Sequence, residues 1–246
     1  MKVIKKIIAS FYRIWFFFIL ALATLLLFPF LLISILKNSW YPFFFKVARA
    51  WSTLIIYGVG CYPIIKREVR YEKGKSYMFV ANHTSMADIM LMFYATKNPF
   101  VFVGKKELAK IPLFGYIYKR TCILVDRGNT KSRLEVFKRA QIRLNEGLSV
   151  CIFPEGGVPD DLSILLDEFK DGAFRLAIEH HIPIAPMTFH DNKKRFPYSF
   201  FIGGPGRMRV KVHSIISTEQ LTLENRKELK NETRSVILNE LLQPTV

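Results

Sequence analysis

The chain has 246 residues, enough for one catalytic domain with a short appendage. Half of its residues are hydrophobic and its formal net charge is +16, so a polyanionic partner is expected, either nucleic acid or an anionic membrane surface. The sequence has no nucleic-acid-binding motif and no Cys/His cluster with metal-ligand spacing, and its three scattered cysteines exclude a disulfide framework. The apolar N-terminus therefore favours the membrane surface.

Residues 14–36 form an uncharged apolar stretch. It is about 23 residues long, above the ~20 that a helix needs to cross a bilayer, although Pro29 interrupts it. Lysines and arginines flank the stretch on both sides, so the charge pattern gives no inside–outside asymmetry. The simplest topology keeps both flanks on the cytoplasmic face of the membrane.

A second segment, residues 40–65, is less apolar and rich in aromatic side chains. Lying in the membrane interface, it would place its rings at headgroup level and Lys46 and Arg49 on lipid phosphates. We therefore favour a membrane-associated helical hairpin, residues 1–66, that dips into one leaflet; a single span is the alternative. A cleaved secretory signal is not favoured, because aromatic residues and prolines follow the apolar stretch. The predicted location is the inner (cytoplasmic) membrane, with a catalytic domain, residues 67–246, facing the cytoplasm.

Residues 67–246 alternate between short apolar runs and amphipathic stretches. The apolar runs predict strands at residues 77–81, 100–103, 121–125, 148–153, 182–189 and 207–216, the last at the edge of the sheet. The longer stretches predict helices at residues 86–94, 111–118, 131–145, 173–181 and 223–242. This alternation predicts an α/β fold with a mainly parallel central sheet flanked by helices. Such folds carry their chemistry at the carboxyl ends of the strands.

The sequence Asn-His-Thr-Ser-Met-Ala-Asp at residues 82–88 directly follows the first predicted strand of this domain. A strand that ends in a loop and then starts a helix presents His83 at the loop and Asp88 in the first helical turns. The aspartate can then accept a hydrogen bond from the imidazole N–H, fix its tautomer and stabilise the imidazolium. This is the base-and-orienter part of an acyl-transfer triad, and it activates a hydroxyl that the substrate supplies. Taken alone, the spacing is also typical of a surface histidine and a helix cap.

Three further blocks follow this motif along the chain. The first combines Gly-Lys-Lys-Glu-Leu at 104–108, Pro112, Gly115 and Ile-Leu-Val-Asp-Arg at 123–127. The second is Phe-Pro-Glu-Gly at 153–156, and the third is Ile-Pro-Ile-Ala-Pro at 182–186. With residues 82–88, which match N-H-x-S-x-x-D in full, their order and spacing resemble the 1-acylglycerol-3-phosphate acyltransferase (lysophosphatidate acyltransferase) family. The resemblance covers roughly residues 75–215 and is more specific than any single block.

The resemblance implies a reaction. A fatty acyl group moves from an acyl thioester to the free sn-2 hydroxyl of 1-acylglycerol-3-phosphate and gives phosphatidate in phospholipid biosynthesis, with His83 as general base and Asp88 as its orienter. The resemblance places Lys105 and Arg127 near the acceptor phosphate and Glu155 in the acceptor-binding region. It also matches Lys170 to a recurring Phe-Lys-x-Gly-Ala run.

The third block can also supply an oxyanion site, and it departs from the family pattern. Gly156 and Gly157 offer backbone N–H groups at close approach, although Pro-Glu-Gly-Gly alone is also an ordinary turn. The family continues Glu-Gly-Thr-Arg, whereas this chain continues Glu-Gly-Gly-Val and then has Asp160 and Asp161, so the arginine that helps to bind phosphate is absent. Either Arg127 and the lysines suffice, or the acceptor is another lyso-lipid, such as a lyso-aminolipid whose amine meets one of these acids.

Expected partners are the lipid bilayer, the lysophospholipid acceptor and the acyl donor, and no nucleic acid. The sequence leaves the donor open between acyl carrier protein, coenzyme A and acyl phosphate, and the chemistry requires no cofactor or metal. A non-catalytic module that binds anionic membranes is a competing class, but binding alone has no need of a base and its orienter. A lipase or thioesterase would want a nucleophile, and Ser85 is not in a Gly-x-Ser-x-Gly elbow, so a capping or strand-end hydrogen-bonding role is predicted for it.

Overall fold

The structure is a computed structural model that describes residues 2–126, 128, 130–159, 161 and 163–243. Its α-helices are α1 (Lys2–Ser34), α2 (Tyr41–Gly58), α3 (Ala87–Ala95), α4 (Phe114–Thr121), α5 (Thr130–Asn145), α6 (Gly172–Glu179), α7 (Asn192–Arg195) and α8 (Arg226–Leu242). Short 3-10 helices span Asn38–Trp40, Lys106–Lys110 and Leu223–Asn225. Its strands are β1 (Cys61–Arg67), β2 (Met78–Ala81), β3 (Phe100–Lys105), β4 (Ile123–Val125), β5 (Ser149–Ile152), β6 (Ile184–Phe189) and β7 (Gly206–Val212).

The strands form one seven-stranded sheet in the order β1-β7-β6-β2-β5-β3-β4. Every neighbouring pair is parallel except β6 and β7, which are antiparallel. The prediction of an α/β fold with a mainly parallel sheet flanked by helices is confirmed. Strand β2 lies between β5 and β6, and all four of its residues are buried, as are all six of β6. Continuous apolar runs are typical of such doubly covered parallel strands.

The N-terminal helices form a hairpin that packs along the domain. Helix α1 is continuous through Pro29, and Val3–Ser34 is long and apolar enough to cross a membrane. Helix α1 packs on α2, and α2 packs on α3. The Tyr41 hydroxyl at the start of α2 donates to the Phe100 carbonyl at 2.8 Å, and Arg49 Nε donates to the Phe93 carbonyl at 3.1 Å. Arg49 therefore holds the end of α3 while part of its side chain stays exposed, and its contact with a lipid phosphate stays a prediction.

The segment predicted at residues 40–65 is divided in the structure. Helix α2 ends at Gly58 and strand β1 begins at Cys61, so the last part of the segment belongs to the sheet. The predicted boundary between residues 66 and 67 falls inside β1, and the division into two domains stays a prediction.

The prediction that the strand at residues 207–216 lies at the sheet edge is wrong. Strand β7 lies between β6 and β1, which pairs with it from Cys61–Gly206 to Arg67–Val212. The alternating pattern distinguishes the two faces of a strand, and it carries no information about whether both of its edges are hydrogen-bonded.

Two predicted boundaries near residue 120 also differ. The helix predicted at residues 111–118 begins at Phe114, because Leu113 has a positive φ of 61° that is incompatible with a right-handed helix. That helix runs on to Thr121, so β4 starts at Ile123 and Cys122 lies at the helix end, outside the strand in which it was predicted.

Candidate active site

The site is built at the carboxyl end of β2, where the chain turns into α3. His83 lies in the turn and Asp88 lies in the first turn of the helix. His83 Nδ1 is 2.8 Å from Asp88 Oδ2, so the predicted hydrogen bond between the two side chains is present. The ring nitrogen that faces the aspartate carries the proton, which leaves Nε2 as the basic nitrogen.

Asp88 is fully buried and held by four hydrogen-bond donors. Besides the imidazole, Oδ2 accepts from the backbone N–H groups of Thr84 and Ser85 at 2.7 and 2.8 Å. Oδ1 accepts from Asn192 Nδ2 at 2.6 Å. A buried carboxylate is tolerated only when its oxygens are paired in this way, and the same contacts fix its orientation toward the histidine. Asp88 is therefore placed to orient the imidazole.

The imidazole of His83 is packed on one face and partly open. It stacks on the Phe153 ring with centroids 4.3 Å apart and an interplanar angle of 16°. Its side chain keeps 15% exposure. In the described part of the chain, Nε2 has no hydrogen-bond partner. The ring is thus held from two directions while its basic nitrogen stays available to a substrate.

Ser85, the one serine in the motif, makes structural hydrogen bonds through its hydroxyl. Its Oγ donates to the Phe196 carbonyl and accepts from the Ala87 N–H at 3.0 Å. Asn82, on the other side of the histidine, exchanges two hydrogen bonds with the backbone of Phe189 at the end of β6. The predicted structural role of Ser85 is confirmed, and the loop is fixed to the segments that follow β6.

Glu155 follows β5, and its carboxylate is hydrogen-bonded to the loop of His83. Oε1 accepts from the His83 backbone N–H at 2.6 Å, and Oε2 accepts from the Asp167 N–H at 2.9 Å. Burial raises the pKa of the Glu155 carboxyl to about 7, against the effect of these two N–H donors, which lower it. Its contacts in the protein are with the backbone, and a direct role in acceptor binding remains a prediction.

The two glycines after Glu155 lie between the two predicted phosphate lysines. Gly156 has a φ of 82°, and a Cβ there would lie 2.8 Å from Lys170 Nζ. A Cβ on Gly157 would lie 4.0 Å from Lys105 Nζ, which comes from the end of β3. The structure therefore brings together Lys105, Lys170 and the Gly-Gly pair, and both lysines are exposed.

The two glycine N–H groups differ. The Gly156 N–H donates to the Phe153 carbonyl at 3.1 Å and closes a turn. The Gly157 N–H has no partner among the described residues. Of the two predicted oxyanion donors, only Gly157 is left to serve a ligand. Arg127 and Asp160, the other predicted binding groups, lie outside the described residues, and Asp161 is exposed.

Asn192 is the functional side chain that sequence reasoning missed. It stands at the start of α7, 104 residues after Asp88, and no motif surrounds it. Its full burial, which only the structure shows, is what indicates a role, since a buried amide needs hydrogen-bond partners. Among the described residues, no group of three His, Cys, Asp or Glu side chains is arranged to hold a metal ion.

Fold and site define a class: an α/β protein in which a buried aspartate is hydrogen-bonded to a histidine after a central parallel strand, in a loop, residues 82–88, whose one serine is engaged in structure. The chain belongs to the acyltransferase family, whose family model, described as Acyltransferase, matches residues 64–190.

Individual relatives agree. An uncharacterised acyltransferase from Schizosaccharomyces pombe is 28% identical over 181 residues, covering 73% of this chain and 65% of that protein. The 1-acyl-sn-glycerol-3-phosphate acyltransferase alpha from Mus musculus is 31% identical over 186 residues, covering 71% of this chain and 63% of that protein. The crystal structure of the 1-acyl-sn-glycerophosphate acyltransferase PlsC from Thermotoga maritima has the same fold, with a TM-score of 0.78 at 19% identity over 100% of both chains. The chain thus spans 65% and 63% of the length of the two sequence relatives.

Proposed function

We propose that this protein transfers a fatty acyl group from an acyl thioester to the free sn-2 hydroxyl of 1-acylglycerol-3-phosphate, giving phosphatidate for phospholipid synthesis. The observation that carries the proposal is the His83–Asp88 pair, with its bond of 2.8 Å and its unpaired Nε2, in a loop whose serine is engaged in structure. A base without an enzyme nucleophile acts on a substrate hydroxyl. The names of relatives such as the mouse enzyme supply the acceptor class.

In the proposed mechanism, His83 Nε2 takes the proton of the acceptor hydroxyl as its oxygen attacks the thioester carbonyl. Asp88 holds the Nδ1 proton and stabilises the imidazolium that forms. The tetrahedral intermediate collapses with cleavage of the carbon–sulfur bond. The imidazolium then returns the proton to the departing thiolate, so that the histidine is neutral again after one turnover.

The Gly-Gly pair and the two lysines supply the remaining binding groups. The unpaired N–H of Gly157 is the candidate donor to the developing oxyanion. The ammonium groups of Lys105 and Lys170, on either side of the pair, are the candidate cations for the acceptor phosphate. Proximity in the structure supports both assignments, and the family motifs support only that of the two lysines.

A lyso-aminolipid is the second candidate acceptor. Val158 stands where the family has the phosphate-binding arginine, and the exposed Asp161 lies three residues further on. A zwitterionic headgroup needs fewer cations and its amine can pair with a carboxylate. The acyl donor, acyl carrier protein or coenzyme A, is proposed only as a thioester, and no resident cofactor is part of the scheme.

The N-terminal hairpin is proposed to hold this site at one leaflet of the inner membrane, with the domain on the cytoplasmic side. Helix α1 is apolar and largely exposed, yet it packs on α2, which is bonded to the domain through Tyr41 and Arg49. A helix held along the domain in this way enters the interface together with it.

The test compares purified wild type with His83→Ala, given 1-acylglycerol-3-phosphate and a long-chain acyl thioester in detergent. We expect phosphatidate from the wild type and a loss of rate of roughly 10²- to 10⁴-fold in the variant. His181→Asn, at an exposed helix end with a φ of 49°, is the matched control and should keep wild-type rates. Equal rates for His83→Ala would refute the base. Product from a lyso-aminolipid alone would keep the chemistry and change the acceptor.

A further inference from the structure

Four of the five side chains at residues 198–202 are large, apolar and about half exposed. We call these residues, Tyr-Ser-Phe-Phe-Ile, the aromatic segment. Tyr198 is 57% exposed, Phe200 48%, Phe201 53% and Ile202 50%. Isolated exposed apolar side chains are ordinary, but a contiguous patch marks a surface that another phase or molecule covers. Nothing in the proposed acyl transfer uses these rings.

Arg13 of α1 fixes the aromatic segment to the membrane-facing helix. Arg13 is only 7% exposed, and its guanidinium donates to the carbonyl oxygens of Pro197 and Ser199 at 2.5 and 2.7 Å. The same group lies over the Phe200 ring, 5.6 Å from its centroid. Both bonds come from Nη2, and a largely buried cation gains from such carbonyl partners, so these contacts hold helix and segment together.

The apolar surface of α1 continues into the segment. Phe16 stacks on Phe196 with centroids 3.6 Å apart, and the half-exposed Phe17 meets the same ring edge-on at 5.9 Å. On the outside, Lys6 Nζ lies 5.8 Å from the centroid of Phe201. The segment therefore lies beside the helix that is proposed to contact lipid, joined to it by the buried rings of Phe16 and Phe196 and by Lys6 at Phe201.

The charges around this surface select an anionic bilayer. Lys5 and Lys6 at the start of α1, and Lys194 just before the segment, are exposed cations at the border of the apolar area. Apolar rings suit the boundary between headgroups and acyl chains, and neighbouring ammonium groups suit the lipid phosphates. A soluble acidic partner would meet the cations but leave the row of rings unexplained.

The segment also adjoins the catalytic loop. Phe196, two residues before it, accepts the hydrogen bond of Ser85 Oγ, and the Ser85 N–H bonds to Asp88. A membrane contact at the segment therefore lies within two residues of the group that holds this loop.

We propose that the aromatic segment is a second membrane contact, inserting Tyr198, Phe200, Phe201 and Ile202 among the headgroups and upper acyl chains of an anionic leaflet beside α1. The inference rests on the proposed membrane location of α1. Its consequence is that the 82–88 loop, bonded through Ser85 to Phe196, is held close to the headgroup layer.

The test measures depth in the bilayer by spin labelling. Full-length protein carrying Cys122→Ser, because Cys122 is the native cysteine that is not fully buried, receives one further change: Phe201→Cys, Phe11→Cys on α1 or Ile142→Cys on α5. Phe11 and Ile142 are 68% and 57% exposed. Each labelled protein is bound to phosphatidylglycerol–phosphatidylcholine vesicles, and its collisions with oxygen and with a water-soluble nickel chelate are compared. We expect labels at 201 and 11 to favour oxygen and the label at 142 to favour nickel.

The outcomes separate the two proposals. A label at 11 in lipid with a label at 201 in water would overturn the inference alone, and both labels in water would overturn the membrane location as well. If the label at 201 is shielded from the nickel chelate only when acyl carrier protein is added, that protein and not the membrane covers the segment. If it is shielded without lipid as the protein concentration rises, a second copy of the chain covers it.

A second experiment measures partitioning into the vesicles. The double variant Phe200→Ser with Phe201→Ser should partition roughly tenfold more weakly, whereas Ile142→Ser with Leu223→Ser should partition like the wild type.

Discussion

The side-chain amide of Asn192 donates to Asp88 Oδ1 at 2.6 Å, across 104 residues of sequence. The bond comes from the short helix α7 after β6, while the other three donors to this carboxylate come from its own loop. We therefore expect Asn192 to act as a positioning residue for the proposed histidine base. The amide holds the second oxygen, so that the first stays aligned with the imidazole.

We expect Asn192→Ala to lower kcat about tenfold with little change in KM, because the loss is in orientation of the base. Asn192→Asp should lose more, since it places a second carboxylate against Asp88. The check is kcat and kcat/KM across pH, where a role through the histidine moves the limb of the profile that reports its protonation. Asn98→Ala removes another buried amide, bonded to the carbonyls of Glu72 and Lys75, and should lower stability with kcat unchanged. A shared loss of kcat in both variants would contradict the positioning role.

Asp88→Asn is expected to reduce kcat by roughly 10³- to 10⁴-fold, because the amide no longer fixes the tautomer or stabilises the imidazolium. It should also lower stability, since one of the two carboxylate oxygens becomes an NH₂ group that cannot accept the hydrogen bonds which that oxygen now receives. Turnover under conditions where thermal unfolding shows the variant fully folded separates the two effects. Activity within tenfold of wild type in the folded variant would show that the aspartate is structural only.

Glu155 is expected to make stability fall as pH rises. Burial raises the pKa of its carboxyl to about 7 from 4.5, so the folded protein binds this proton more tightly than the unfolded chain does. The stabilisation is complete below pH 4.5 and is lost as pH rises through 7, an effect of up to roughly 3 kcal/mol. The check is denaturant unfolding at intervals from pH 4.5 to 8, beside Glu155→Gln, which carries no proton to lose. An identical pH slope in the two proteins would exclude Glu155 as the source.

Gly156→Ala is expected to raise KM for the phosphate-bearing acceptor. Its φ of 82° strains any L-residue by about 1 to 2 kcal/mol, and its Cβ would lie 2.8 Å from Lys170 Nζ and displace that ammonium. Gly147→Ala is the matched control, with a φ of 77° and no atom within 4 Å of the added Cβ. Both variants should lose similar stability, and only the first should bind acceptor more weakly. Steady-state kinetics on the two folded variants decides, and equal KM values would remove Lys170 from the acceptor site.

Arg13→Ala is expected to reduce stability by about 2 to 3 kcal/mol, because two carbonyl groups lose charged hydrogen-bond donors. Arg13→Lys should recover only part of this, since Nη2 donates to both oxygens and the lysine ammonium lies one bond nearer the backbone and has no planar group to lie over the Phe200 ring. Lys5→Ala, an exposed change on the same helix, should be neutral. Thermal unfolding of the three variants in one detergent is the measurement, and an unchanged melting temperature for Arg13→Ala would show that the aromatic segment is not held by α1.

The sequence by itself determined the features that depend on local pattern. Apolar runs placed the parallel strands because doubly covered strands exclude polar residues, and the 82–88 motif placed the His83–Asp88 bond because both partners lie within one turn. Composition and the uncharged stretch pointed to lipid. Family motifs selected Lys105 and Lys170, and the lack of side chains selected Gly156 and Gly157, which the structure brings close to these lysines.

Only the tertiary structure decided what depends on neighbours distant in the chain. Strand β7 was predicted at the sheet edge, but its pairing with β1 makes it an internal strand. The alternation of apolar and polar residues describes the two faces of a strand and not its hydrogen-bonded sides. Arg49 donates to a carbonyl at the end of α3, a contact that the sequence does not indicate, because a cation in an aromatic helix has the same local pattern whether or not it has such a partner. Asn192 and Arg13 act over 104 and 184 residues, and no local propensity records such partners, which arise only when the packed chain leaves a buried acceptor to be satisfied.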